Sequence, residues 1–146
     1  MRNEYMQQAL EEAKKAAELG EVPVGAVVVK NGAVIAKGHN LCESHKDASL
    51  HAEMIALKRA AEVLGGWRLN ECDIYVTLEP CLMCSGALLN SRIRRIYFGA
   101  YDIKNGACGS VCDIGVMGFT HKPEIYGGIG QQECASLLTE FFEDKR

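Results

Sequence analysis

Two short motifs, His51-Ala52-Glu53 and Pro80-Cys81-Leu82-Met83-Cys84, hold the residue types that do metal and proton chemistry. Cys81 and Cys84 stand three apart, so in the first turn of a helix both sulfurs point the same way. Free backbone N–H groups at such a helix start, and the positive end of its dipole, favour thiolate over thiol. Zinc accepts a mixture of thiolate sulfur and imidazole nitrogen, and His51 supplies the imidazole. The ligand count is the informative feature. A structural zinc site closes on four protein ligands, whereas one C-x-x-C and one histidine give three and keep a position for water. Two thiolates neutralise the charge of Zn²⁺, so the metal acidifies its water less than a three-histidine site does. A base is then needed nearby, and Glu53 stands two residues from a ligand. The pattern predicts one Zn²⁺ per chain on His51, Cys81 and Cys84, with Glu53 moving protons in a hydrolytic reaction.

Each motif alone says little. A lone C-x-x-C is more often not a metal site, and an isolated His-x-Glu carries almost no information. Their joint occurrence at two predicted helix starts, with a strand between, is what is specific. Cys42, Cys72, Cys108, Cys112 and Cys134 read as small core residues, and Cys108 and Cys112 are the alternatives for a fourth ligand. A closed four-ligand site would make a zinc-stabilised interaction module without catalysis. His39, His45 and His121 read as surface or hydrogen-bonded histidines. Glu79 is the rival base, but its place at a strand end fits a carboxylate that satisfies backbone donors.

The elements that must position these groups follow from periodicity. Met6, Ala9, Leu10, Ala13, Ala16 and Ala17 recur at helical spacing, and Gly20 is a stop signal. Val22 to Val29 reads as a strand, and Asn31-Gly32 as a hairpin turn into a second strand from Ala33 to Gly38. A helix is expected from about Ala52 to Leu64, with Ile55, Ala56, Ala60 and Leu64 inward. Cys72 to Leu78 reads as a buried strand, Pro80 to about Asn90 as a helix, and Ile93 to Gly99 as a strand. The glycine- and serine-bearing stretch from Ala100 to Gly118 predicts a loop with a short helix, and Glu124 to Tyr126 a last short strand. A closing helix carries Cys134, Leu137, Leu138, Phe141 and Phe142 at the spacing of a core face. Alternating strands and helices imply a three-layer α/β domain with an antiparallel hairpin at its start.

The 146 residues suit one domain, 1–146, and no apolar run approaches a membrane span. No signal peptide is visible and the seven cysteines are an odd number, so reduced thiols and a cytoplasmic setting are expected. A net charge of −3 offers no global attraction to nucleic acid, so RNA needs a local basic patch, for which Arg92, Arg94 and Arg95 are candidates.

H-x-E…P-C-x-x-C is the signature of zinc deaminases acting on nucleobases. EVPVGAVVV (21–29), GHN (38–40), HAE (51–53), YVTLEPCLMCSGAL (75–88), SRIRRIYFGAYDIKNGACGS (91–110) and ECASLLTEFF (133–142) narrow this, and nearly the whole chain resembles the bacterial tRNA-specific adenosine deaminases. Cytidine deaminases typically carry Cys-Ala-Glu at the first ligand, and the riboflavin-pathway deaminase spaces its two cysteines more widely. Guanine deaminase shares HAE and PCxxC but usually lacks the closing phenylalanine pair, which makes a free-nucleobase deaminase the alternative. The resemblance implies a three-layer α/β/α cytidine deaminase-like fold with a five-stranded mixed sheet, a homodimer, and conversion of the wobble adenosine of an arginine tRNA anticodon to inosine. It also implies that zinc-activated water attacks adenine C6, that Glu53 shuttles the protons, and that Asn40 and the Ala52 backbone meet the base. Arg92, Asp102, Lys104, Phe141 and Phe142 are the candidate contacts to the anticodon stem-loop. Three departures stand out. Asp47-Ala48-Ser49-Leu50 replaces the usual Asp-Pro-Thr-Ala and predicts a looser loop before His51. Cys42 replaces a common arginine, and the end Glu143-Asp144-Lys145-Arg146 is more acidic than the usual basic tail, so weaker RNA binding is expected.

Overall fold

A computed structural model describes residues 3–145 of the chain. Its elements are α1 (Glu4–Glu18), β1 (Gly25–Lys30), β2 (Ala33–His39), α2 (Cys42–His45), α3 (Ala52–Leu64), β3 (Cys72–Leu78), α4 (Leu82–Asn90), β4 (Arg95–Ala100), a 3₁₀ turn (Ile114–Val116), β5 (Glu124–Tyr126) and α5 (Gln131–Asp144). The strands form one sheet in the order β2-β1-β3-β4-β5. β1 pairs antiparallel with β2 and β3, while β3–β4 and β4–β5 are parallel, so the sheet is five-stranded and mixed. Val28 and Ile74 alternate with Val27 and Tyr75 between its two faces. One face packs on α3 and α4 through Ala52, Ala56, Ala60 and Leu88. The other packs on α1 and α5 through Met6, Ala9, Leu10 and Cys134. The three-layer α/β/α expectation holds.

Some boundaries differ for physical reasons. β1 starts at Gly25 rather than Val22, because Val24 N–H turns back to the Val22 carbonyl and Gly25 N–H goes to Thr77 Oγ1. β4 starts at Arg95 because Arg92 takes a left-handed φ of 62° and Ile93 N–H closes α4 on the Leu88 carbonyl. On α3, Leu57 is buried, whereas Ile55 and Leu64 are only half-buried. α5 sends Cys134 fully inward, leaves Leu137, Leu138 and Phe141 half-buried, and exposes half of Phe142. No periodicity or terminator in the sequence predicts α2. Its start is held by a residue distant in the chain: buried Glu21 accepts from the N–H groups of Glu43 and Ser44 and from the Ser44 hydroxyl.

Small residues set how closely the helices approach the sheet. A Cβ on Gly38 would lie 2.6 Å from the Ala52 carbonyl oxygen and 2.9 Å from the Ala56 nitrogen, both backbone atoms of α3. Gly38→Ala is therefore expected to cost about 1–3 kcal/mol as overpacking, read as a lower urea midpoint. Gly66→Ala, with nothing within 4 Å, is expected to stay within about 0.5 kcal/mol of wild type. Equal midpoints for the two variants would show that this contact does not hold α3. A second expectation concerns acid. Burial pushes Glu21 up, but the hydrogen bonds from Ser44 and Glu43 outweigh it and hold the carboxyl below its ordinary 4.5. A carboxyl depressed on folding stabilises the fold above its unfolded pKa and loses that contribution as the pH falls through the folded one. The gap in urea midpoint between wild type and Glu21→Gln should be full at neutral pH and narrow progressively below about 4.5. A gap that stays constant into acid would remove Glu21 as the anchor of α2.

Candidate active site

α3 and α4 begin beside one another, and their first residues carry the ligand-type side chains. His51 is the N-cap of α3 (φ −72°, ψ 156°) and Cys81 the N-cap of α4 (φ −75°, ψ 176°), and neither side chain makes a capping bond. His51 Nδ1 lies 3.6 Å from Cys81 Sγ and 3.5 Å from Cys84 Sγ. Tetrahedral zinc, with Zn–S about 2.3 Å and Zn–N about 2.0–2.1 Å, sets sulfur and nitrogen about 3.5 Å apart, so the group could hold such an ion. All three ligand atoms lie within 4.8 Å of one another, and among the described residues they are the one such group. Cys108 is engaged elsewhere, 3.6 Å from Ser85 Oγ. The hydrogen bond from Cys84, together with His51, pulls the Cys81 thiol down to about 4, while that same contact and burial push Cys84 up.

Glu53, one turn into α3, is 3% exposed, and burial pushes its carboxyl up to about 7 against the pull of backbone N–H and His51. A carboxyl near neutrality can both take and return a proton. Asn40 Oδ1 accepts from Ala52 N–H at 2.8 Å, which caps α3 in place of His51. Because a backbone N–H fixes which end of the amide is oxygen, the Asn40 NH₂ is the group left for a ligand.

Asn40, His51, Glu53 and Cys81 border a cavity of about 590 Å³. Glu21, Val22, Val24, Cys42 and Glu43 from the first half of the chain and Leu78, Leu82, Met83, Asp102 and Asn105 from the second also line it. Among the described residues no lysine or arginine lines it. Glu79 borders it too and accepts from the N–H groups of Asp102, Cys108 and Ser110 and from the Ser110 hydroxyl, the backbone role expected of it.

The candidate RNA contacts separate. Asp102 reaches the cavity, with Oδ1 committed to Lys104 N–H and Asn105 N–H, so that Lys104 rides exposed on that turn. Arg92 sits past the far end of α4, about 13 Å of helix from Cys81. The structure does not bring it to the cavity; its guanidinium bonds the Leu89 carbonyl at 2.9 Å. Arg94 forks onto Asp73 at 2.9 and 3.0 Å, and Arg95 pairs with Glu124, so neither is a free basic patch. Phe141 lines a groove with Ala17 and Gly20, and Phe142 meets it edge-on with 50% exposure. The 47–50 loop is not loose. Asp47 Oδ1 accepts from Ser49 N–H and Oγ, and Leu41 N–H bonds the Leu50 carbonyl. His39 pairs with Glu12 and His121 with the Ile93 carbonyl, as expected of non-ligands. Glu21, Glu43 and Asn105 were missed as cavity residues, and no local sequence signal marks them.

The MafB19-like deaminase family matches over residues 2–146. The tRNA-specific adenosine deaminase of Bacillus subtilis is 46% identical over 97% of this chain and 89% of its own length. That of Aquifex aeolicus is 47% identical over 97% and 94%. A structure solved in a study of A-to-I editing by tRNA:A34 deaminases superposes with a TM-score of 0.89, at 44% identity over 94% of this chain and 100% of that one. Guanine deaminase from Nitrosomonas europaea shares the fold, with a TM-score of 0.84 at 22% identity over 97% and 85%. With near-complete coverage in both directions at such identities, the chain belongs to the family of the tRNA-specific adenosine deaminases.

Proposed function

We propose that this chain is a zinc enzyme that hydrolyses adenosine to inosine at the wobble position of a tRNA anticodon, with an arginine tRNA as the expected substrate. The observation that carries this is the convergence, on one cavity, of a three-donor group with spacings that fit zinc and a buried Glu53 near neutrality. Zn²⁺ on His51, Cys81 and Cys84 would supply the Lewis acid that acidifies a water at its open position. Glu53 takes a proton from the attacking water and gives it to ring N1 as C6 becomes tetrahedral. It then passes the second proton to the departing amine, so that adenosine and water become inosine and ammonia. The Asn40 NH₂ and the start of α3 orient the base. The chain acts as one domain and as a homodimer in the cytoplasm, the second copy completing the RNA groove beside the exposed Leu82 and Met83. No helix among the described residues is long and apolar enough to cross a membrane.

Glu53→Gln keeps the shape of the side chain but cannot take a proton. The variant is expected to retain one zinc per chain by elemental analysis and to lose about 10²–10⁴-fold in kcat. Near-normal turnover would assign the proton transfers to another group.

Recognition of an anticodon differs from recognition of a free base. Turning a base out of a stacked loop costs a few kcal/mol, which contacts to neighbouring nucleotides must offset. Phe142 is the exposed ring of the closing pair, while half-buried Phe141 lines the groove beside the end of α1. Phe142→Ala is therefore expected to lower kcat/KM on an anticodon stem-loop by about 5- to 150-fold, the equivalent of a stacked base at about 1–3 kcal/mol, with little loss of stability. Unchanged editing by the folded variant, or efficient ammonia release from free guanine by the wild type, would favour a free-nucleobase deaminase instead.

A further inference from the structure

One buried acid that borders the cavity takes no step in the reaction proposed above. Glu79, at the end of β3, is 2% exposed, and each of its oxygens is taken. Oε1 accepts from Asp102 N–H at 3.1 Å and from the Ser110 hydroxyl, and Oε2 accepts from Cys108 N–H and Ser110 N–H, each at 3.0 Å. These donors lie 23 to 31 residues along the chain, in the segment between β4 and the 3₁₀ turn. Gly106 is pressed onto the carboxylate so closely that a Cβ there would fall 2.2 Å from Glu79 Cδ. The same segment is tied to the cysteine motif by Ala107 N–H on the Pro80 carbonyl at 2.8 Å. The segment has no helix or strand and is held by isolated bridges at Gly106 and Cys108 and by turn bonds such as Gly106 N–H on the Asp102 carbonyl. It nonetheless lines the cavity with Asp102 and Asn105 and carries Lys104 on its turn.

We propose that Glu79 is a positioning residue for substrate: its carboxylate gathers the 102–110 segment and sets Asp102, Lys104 and Asn105 in the arrangement that receives the nucleotides around the target base. The proposal rests on the function above only for the identity of that substrate. Lys104 matters here because the cavity lining itself holds no cation among the described residues. A phosphate beside the target base would therefore meet its positive charge on this segment. Glu79 does its work without touching the base.

Glu79→Gln keeps the size of the side chain and replaces one acceptor oxygen with an NH₂ that faces two donors. In the zinc-loaded full chain the variant is expected to raise KM for an anticodon stem-loop about tenfold or more, with kcat within about threefold of wild type and zinc content unchanged. Amide hydrogen exchange at Asp102, Cys108 and Ser110 should accelerate by at least about tenfold while that of β3 does not. Ser110→Ala removes one donor, leaves the three N–H bonds and the fold, and should raise KM about two- to threefold in the same direction. If Glu79→Gln does not fold, Ser110→Ala decides alone. Loss of zinc, or a fall in kcat at unchanged KM, would overturn the proposal and place Glu79 with the reacting centre. Unchanged exchange across 102–110 would overturn it as well. A wild type that fails to edit the stem-loop sinks the proposed function, while the exchange and zinc measurements still judge the anchoring role of Glu79.

Discussion

The site depends on two helices starting at one point. α3 and α4 both open at the same end of the sheet, and the side chains that would bind metal sit at the N-cap of each and one turn into α4. An N-cap side chain ordinarily bonds the first free N–H groups of its own helix. His51 and Cys81 do not, which leaves their donor atoms free to face each other. For α3 the missing cap comes from Asn40, whose side chain accepts from Ala52 N–H. One hydrogen bond thus frees a ligand, fixes the helix start, and leaves the amide nitrogen of Asn40, a cavity residue, without a role in the cap.

That convergence is held by close approach rather than by large side chains. Ala52, Ala56 and Ala60 form the inner stripe of α3, and β2 presents the bare Gly38 backbone to them. Helix and sheet meet nearly backbone to backbone, so a shift of the helix would move His51 and Glu53 together. Glu53 shares in this. It is buried because the helix that carries it lies flat on the sheet, and burial is what pushes its carboxyl up to about 7. The acid–base character of the site is therefore a consequence of packing.

How much of this was legible in sequence depends on the range of the interaction. α3, β3 and β5 matched their expected spans because periodicity and terminators are local. His51, Cys81, Cys84 and Glu53 were legible because their spacing is itself chemical. α2 was not, since its start is held by Glu21 from more than twenty residues away. The basic patch was misread for the same reason. Arg94 and Arg95 are adjacent cations in the sequence, but parallel pairing with β3 and β5 sets Asp73 and Glu124 beside Arg95. The Asp-Ala-Ser-Leu loop looked loose without its usual proline. An Asp47–Ser49 turn supplies the order that the proline would have given.

The charge pattern around the cavity then restricts what can enter it. Glu21, Glu43, Glu53, Glu79 and Asp102 all border it, an arrangement that would repel a phosphate from within. Glu21 and Glu79 accept backbone or hydroxyl donors at each oxygen, and Asp102 accepts from two N–H groups through Oδ1, which fixes how these carboxylates are oriented. Burial pushes the Glu53 carboxyl up to about 7. The same hollow is bordered by Val22, Val24, Leu78 and Met83 and by the Asn40 amide, apolar surface and a neutral polar group suited to a flat uncharged base. In the function proposed above, the phosphates on either side of such a base would stay outside, where Lys104 is exposed. For a chain of net charge −3 that proposal assigns selection of the base to the cavity and contact with the backbone to its rim, by different residues on different elements.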